Sequence, residues 1–237
     1  MPFHPFPLLE KRGASERSVV DMARIIIFGG HGKIALLTEP LLAERGDSVT
    51  AVIRNPDQSQ DVREAGAEPR MVDIEQLDAD GLAAVIEGHD AVVWSAGAGG
   101  GDAERTLAVD RDAAIRTMDA AVRAGVQRYV MVSYFGSSRD HGVDPENSFF
   151  TYAEAKSQAD EHLRESGLEW TVLGPSGLTL DAPTGEIDVD ADEGATVSRA
   201  DVAATIAAVL ADDSTIRRTI QFNTGDTPIA EAVRGDA

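Results

Sequence analysis

The chain has 237 residues, 43% of them hydrophobic and 26% charged, enough to bury a sizeable core in one unit. Its 41 acidic and 21 basic side chains leave a net charge of −20, which opposes a polyanion such as nucleic acid and implies a strongly solvated surface. The absence of cysteine excludes disulfide scaffolds, thiolate zinc sites and cysteine catalysis, and no apolar run approaches the ~18 residues of a bilayer-spanning helix.

Residues 1–21 contain Pro2, Pro5 and Pro7 and then a mixed polar run without periodicity or the apolar core of a secretion signal. They read as a disordered tail or an over-extended start, with Met22 standing where a natural start falls. From there strands and helices alternate. Arg24–Phe28 is a continuous β-branched run of the kind buried on both faces of a sheet. A helix over Ala35–Arg45 stops at Gly46, and strands follow at Ser48–Ile53 and Glu68–Val72. A helix around Gly81–Glu87 leads to a buried strand, Ala91–Ser95. The long helix Ala103–Ala124 places Leu107, Ala114, Met118 and Ala121 on one stripe and ends at Gly125. The pattern continues with a strand at Arg128–Ser133, a helix over Tyr152–Ser166 and a strand at Glu169–Leu173 closed by Gly174-Pro175. Ser198 and Asp201 have capping-box spacing for a helix Arg199–Ala211, and Thr219–Asn223 reads as a last strand. This alternation predicts an α/β fold: a doubly wound parallel sheet in three α/β/α layers, with a small substrate-side region towards the C-terminus.

Chemistry gathers at the strand ends. Gly29-Gly30-His31-Gly32-Lys33-Ile34-Ala35 closes the first strand and opens the first helix, with Gly29, Gly32 and Ala35 at dinucleotide-loop spacing. Small residues there let the backbone approach a pyrophosphate, and the helix start supplies N–H groups and the positive end of a dipole. After the second strand, where NAD-preferring sites usually carry an acid, stands Arg54, which predicts a clamp on a 2′-phosphate and hence NADP(H), with NAD(H) still possible. Asp73 ends the third strand as a hydrogen-bond acceptor for an adenine amino group, and the small residues Ser95, Ala96 and Gly97 end the fourth. Tyr152 and Lys156 lie four apart on one helical face. A lysine so placed is expected to lower the tyrosine pKa and make the phenol an acid/base for a carbonyl or alcohol, with Ser133 polarising the same oxygen.

The chain from Arg24 to about Ala232 resembles the atypical short-chain dehydrogenase/reductase superfamily. The resemblance is strongest to its small NAD(P)H-binding members of the NmrA-like, NAD-dependent epimerase/dehydratase and biliverdin reductase B-like kind. It is carried by GGHGKIA (29–35), AVIRNPDQ (51–58), VDIE (72–75), WSAGAG (94–99), VDRDAA (109–114), VMVSYFGS (130–137), YAEAKSQADEHLRESGLEWTVLGPSGLT (152–179), VSRADVAATI (197–206) and GDTPIAEAV (225–233). It implies one Rossmann-type NAD(P)-binding domain over 22–237, with phosphate contacts from Gly29, His31, Gly32, Lys33 and Ile34. By the same likeness Ile74 belongs to the coenzyme site, and the nicotinamide neighbourhood lies near Ser133, Tyr152, Lys156, Pro175, Gly177 and Leu178, with Lys156 also holding the nicotinamide ribose. The chain departs from the dehydrogenase pattern in two places. No asparagine occurs in 103–124, and Gly174 stands where many relatives have arginine before the proline.

The substrate region spans Tyr134–Phe150, which offers Tyr134, Phe135, Arg139, His141 and Phe149, and the acidic stretch Ser176–Thr196, which lacks calcium-loop spacing. Without an extended C-terminal domain, a small carbonyl compound fits better than a nucleotide-sugar. The expectation is a cytoplasmic monomer or homodimer acting on a small molecule, with no metal, nucleic acid or membrane partner. Three readings follow: an NADP(H)-dependent oxidoreductase, a non-catalytic NADP(H)-binding regulatory module, and a small NAD-dependent epimerase or dehydratase.

Overall fold

The computed structural model describes residues 22–99 and 102–235; the expectation for residues 1–21 lies outside them. Strand β1 (Arg24–Phe28) lies third from one edge of a nine-stranded sheet. Its apolar run is explained by two cores: Ile25 and Ile27 enter one, Ile26 and Phe28 the other. On one side of β1 lie β2 (Ser48–Ile53) and β3 (Glu68–Met71), on the other β4 (Ala91–Trp94), β5 (Arg128–Val132), β6 (Glu169–Pro175) and β10 (Arg218–Thr224), all parallel. Two short antiparallel strands, β8 (Glu186–Asp188) and β11 (Thr227–Pro228), extend the far edge. The chain reverses direction across the sheet between β1 and β4, the place where open α/β sheets leave a crevice at the carboxyl ends of their strands.

The first core is covered by α1 (Ala35–Arg45), α7 (Arg199–Leu210) and the short α8 (Ile229–Ala232). The second is covered by α3 (Ala79–Ile86), α5 (Ala114–Ala124) and α6 (Phe150–Glu165). Helices α1 and α5 end on Gly46 and Gly125 in the left-handed conformation, as their sequences imply. The capping box at α7 also forms: Ser198 accepts from the Asp201 N–H at 3.0 Å. Asp201 reaches further, accepting from the N–H groups of Thr184 and Gly185 at 3.1 and 2.8 Å, so one carboxylate fastens the 184–185 turn to the start of α7.

Several features differ from the sequence expectation. A 3-10 turn (Pro56–Gln58) and helix α2 (Ser59–Glu64) follow β2, where the sequence reading named no element; α2 buries Val62 alone, too little to give a periodic signal. The expected single helix 103–124 is three pieces: α4 (Ala103–Thr106), a π-helical stretch Leu107–Ala113 and α5. Strand β6 runs on to Pro175, and β7 (Gly177–Thr179) pairs in parallel with β9 (Thr196–Ser198) as a separate two-stranded ribbon.

Glu39 occupies the buried stripe of α1 with Ala35 and Leu42, is fully buried, and has no hydrogen-bond partner for either carboxyl oxygen among the described residues. Burial alone pushes its pKa up to about 8. The folded chain therefore holds a proton that the unfolded chain releases, so Glu39 takes away stability progressively as pH rises from the ordinary carboxylic range to about 8. Glu39→Met is expected to stabilise the fold by roughly 2–4 kcal/mol at pH 8 and by little at pH 5, read from urea unfolding at both pH values.

Candidate active site

At the carboxyl end of β1 the backbone is packed too closely for side chains. A Cβ on Gly29, whose φ is +83°, would lie 2.6 Å from the Ala96 backbone, and one on Gly30 would lie 2.5 Å from the Ala51 Cβ. Helix α1 then begins at Ile34 with no side-chain cap and no acid in its first turn, leaving its first N–H groups without a side-chain partner at that end. A groove of about 400 Å³ runs past this loop along the ends of β1 to β4. Of the residues expected at the coenzyme, Gly29, His31, Gly32, Arg54, Asp73, Ile74, Ser95, Ala96 and Gly97 line it. Lys33 does not; its side chain is exposed outside the groove. His31 is paired with Asp61 through Nε2 at 2.7 Å. The glycine cradle and the uncapped helix start together fit a diphosphate.

Arg54 sits at the far end of the groove but not alone. Its Nη1 donates to Glu75 Oε1 at 2.9 Å, and Arg105 Nε lies 3.7 Å from the same oxygen. The sequence reading named neither Glu75 nor Arg105 as a site residue, although Glu75 lies within the quoted VDIE run. The two arginines share one carboxylate, and with Asp73 nearby the formal charges lining the groove balance. Arg54 is more than half exposed, so its guanidinium is free to turn to a bound anion.

Beyond Ser95–Gly97 the groove opens into a cavity of about 900 Å³ bounded by Ile34, Asp110, Ser133, Tyr152 and Leu178. A second cavity of about 590 Å³ shares Ser133, Phe149, Tyr152 and Leu178 as walls and takes in Pro175 and Gly177. Tyr152 therefore stands where the two meet. Tyr134, Phe149 and Tyr152 form a cluster with ring centroids 5.2–5.8 Å apart. His141 lines the second cavity, whereas Arg139 turns away and pairs with Glu161 on the outer surface.

The charge chemistry around Tyr152 differs from the sequence expectation. Lys156 is fully buried and donates to the Val132 carbonyl at 2.8 Å and to the Met131 sulfur at 3.1 Å, and it lines neither cavity. Burial lowers its pKa, opposed by Asp160 and Asp110. The Tyr152 pKa is raised rather than lowered, first by burial and then by Asp110 and Asp160. Helical spacing identified the nearby cation but missed the desolvation and the two carboxylates. Ser133 is also corrected: its hydroxyl donates to Asp160 Oδ2, which accepts from Ser137 at 2.6 Å as well, so that proton is engaged within the protein.

Asp110 and Asp160 are the residues that sequence reasoning overlooked. Asp110 lies in the π-helical stretch, accepts from the Ala98 N–H at 3.0 Å and so pins the strand-end backbone beside the cavity. Burial raises its pKa. Asp160 is fully buried, and its Oδ1 has no partner among the described residues. Gly174 sits in a tight place: a Cβ there would lie 3.1 Å from both the Tyr134 carbonyl oxygen and the Gln221 Cγ, so a side chain would require these neighbours to give by a few tenths of an ångström.

With this geometry in view, residues 29–213 match the family model described as NAD(P)H-binding. The chain belongs to that NAD(P)H-binding family. It is 34% identical over 215 residues to an uncharacterized sugar epimerase, YhfK, of Bacillus subtilis, covering 89% of this chain and 99% of that protein. A solved structure from Bacillus halodurans named for NAD-dependent epimerases/dehydratases superposes with a TM-score of 0.82 at 32% identity, covering 89% of this chain and 98% of the other. The oxidoreductase YlbE of Lactococcus lactis superposes with a TM-score of 0.79 at 26% identity, over 89% and 94% of the two chains. The resemblance to the small NAD(P)H-binding members of the atypical short-chain dehydrogenase/reductase superfamily holds, as does the doubly wound fold.

Removing the buried cation isolates the problem it solves. Lys156→Met leaves Asp110 and Asp160 without it and is expected to destabilise the protein by about 3–5 kcal/mol. Adding Asp160→Asn should recover part of that loss, a non-additivity measured by denaturant unfolding of the two single variants and the double variant.

Proposed function

We propose that this chain is an NADP(H)-dependent oxidoreductase that interconverts a small carbonyl compound, or a quinone- or flavin-like ring, with its reduced form. The observation that carries the reading is the position of Tyr152, a phenol at the junction between the groove that leads from the glycine loop and the aromatic-walled cavities. When bound, the coenzyme supplies or accepts hydride. The protein's share is to hold the substrate oxygen at the Tyr152 hydroxyl and to give that oxygen a proton as it gains negative charge. A raised phenol pKa keeps Tyr152 protonated at neutral pH, which suits reduction better than alcohol oxidation. Lys156, tied to Val132, supports the helix that carries Tyr152, and Asp160 orients Ser133 and Ser137 beneath it.

NADP preference is assigned to Arg54 with Arg105, where a 2′-phosphate would compete with Glu75 for the guanidinium groups. A charge-assisted contact of this kind is worth about 1.5–3 kcal/mol, roughly tenfold to a hundredfold in affinity. The engagement of the Ser133 hydroxyl by Asp160 favours a second reading, in which the chain binds the coenzyme and regulates a partner without turnover.

Titration with NADPH and NADH side by side, followed by the fluorescence of Trp94 and Trp170, should show tighter binding of NADPH. Arg54→Ala should weaken NADPH about tenfold to a hundredfold and leave NADH nearly unchanged, and Glu75→Gln should tighten NADPH; equal effects on the two coenzymes would remove Arg54 from selection. In a screen of quinones, flavins, aldehydes and ketones, Tyr152→Phe should lower turnover by about 100-fold or more with little change in the NADPH dissociation constant. Tight NADPH binding with no turnover on any of them would favour the regulatory reading.

A further inference from the structure

Charge is sorted along the site. The cationic side chains of the groove, Arg54 and Arg105, line the part that carries Glu75; Arg105 also donates to the Ala98 carbonyl at 2.9 Å, but neither arginine lines the two cavities. Neither of the two cavities that meet at Tyr152 has a lysine or arginine among its described lining residues. The formal charges that border the first cavity are negative, on Asp102 and Asp110. The single basic side chain of the second, His141, is occupied within the protein: its Nδ1 accepts from the Val143 N–H at 3.0 Å, and Nε2 meets Glu154 Oε1 at 3.0 Å. Both ring nitrogens are thus engaged.

The apolar part of the second cavity's wall is Phe135, Val143, Phe149 and Leu178, with the rings of Tyr134 and Tyr152; Ser133 and Ser176 line it as well. The Tyr134 hydroxyl is buried without a hydrogen-bond partner among the described residues, and burial pushes its pKa up to about 12. Tyr152 presents an O–H donor where the cavities meet, whereas the Tyr134 hydroxyl is enclosed; the two ring centroids are 5.8 Å apart. An anionic group brought here would lose its hydration with no lysine or arginine among the described lining residues to pair with, and in the first cavity it would also face Asp102 and Asp110. A planar ring bearing carbonyl oxygens would stack on the aromatic cluster and accept from the Tyr152 phenol.

Resting on the oxidoreductase reading for its setting, we infer that the substrate is an uncharged, planar aryl carbonyl compound of the quinone or aryl ketone class, and that phosphorylated, carboxylated and nucleotide-linked substrates are disfavoured because no lysine or arginine among the described residues lines either cavity. Its recognition is separable from its reduction. A nucleotide-sugar, whose diphosphate needs cations beside the reacting ring, lies outside this class.

The test is binding of a matched pair, 1,4-naphthoquinone and 1,4-naphthoquinone-2-sulfonate, to the full chain without coenzyme, measured by calorimetry, with NADP⁺ binding measured separately. The chain has no cysteine to form adducts with either. The neutral quinone should bind at least tenfold more tightly than its sulfonate, and Phe149→Ala should weaken it about tenfold. Leu178→Arg, which sets a cation at the seam of the two cavities, should tighten the sulfonate and narrow or reverse the ratio. Equal or tighter binding of the sulfonate by the unaltered protein overturns the inference, as does failure of both ligands to bind while NADP⁺ is retained. Selective binding of the neutral quinone without its reduction by NADPH supports this substrate class and instead overturns the catalytic reading.

Discussion

The arrangement of the whole molecule turns on how closely two backbones pass at the carboxyl end of β1. Gly29 lies against the backbone of Ala96 and Gly30 against Ala51, with no room at either place for a Cβ. Because the strands on either side of β1 are parallel and in register there, this proximity brings the ends of β1, β2 and β4 to one edge of the sheet. Everything that lines the groove hangs from that edge: Arg54 from β2, Asp73 just past β3, and Ser95 to Gly97 from β4. A side chain at Gly29 would separate β1 from the β4 loop and disturb the groove and the first cavity together, since both use Ser95 to Gly97 as a wall.

A second constraint is electrostatic. Three ionisable groups, Asp110, Lys156 and Asp160, are buried around the helix that carries Tyr152. Each carboxylate has a job in addition to balancing the lysine: Asp110 fixes the Ala98 backbone, and Asp160 gathers Ser133 and Ser137. The set carries one more negative than positive charge when all three are ionised, and this excess, with burial, holds the phenol in its protonated form. The π-helical turn at Leu107–Ala113 belongs to the same device, because it is the stretch that carries Asp110 inward to the strand ends.

The frame of the protein was legible because its signals are periodic. The run Arg24–Phe28 serves two cores at once, and Gly46, Gly125 and Ser198 mark helix boundaries by chemistry that depends little on context. Strands β8, β9 and β11 carry three residues or fewer each, too short for alternation to register. The site was legible as a list of residues more than as a set of charges. Tyr152 and Lys156 were visible from spacing, but the sign of the effect between them depends on burial, which spacing does not report. A signal for the missing carboxylates was present: Asp110 falls on the apolar stripe of Leu107 and Ala114, and Asp160 lies four residues after Lys156 on the buried stripe that ends at Leu163. An acid on an apolar stripe is a buried acid, and the same rule would have found Glu39.

The wall of the second cavity is built differently from the sheet that supports it. Gly177 and Leu178 belong to a ribbon in which β7 pairs only with β9, and β9 leads directly into the Ser198–Asp201 cap of α7. The ribbon is hooked to the sheet at single points, such as the Ser176 N–H on the Phe222 carbonyl at 3.1 Å, rather than along a ladder. Leu178 faces the cavities and Val197 is fixed in the first core, so it is the β7 side of the ribbon that can vary without disturbing the pairing of β1 to β6. A lineage using this scaffold is thereby able to diversify the compounds it handles while inheriting its nucleotide cradle intact.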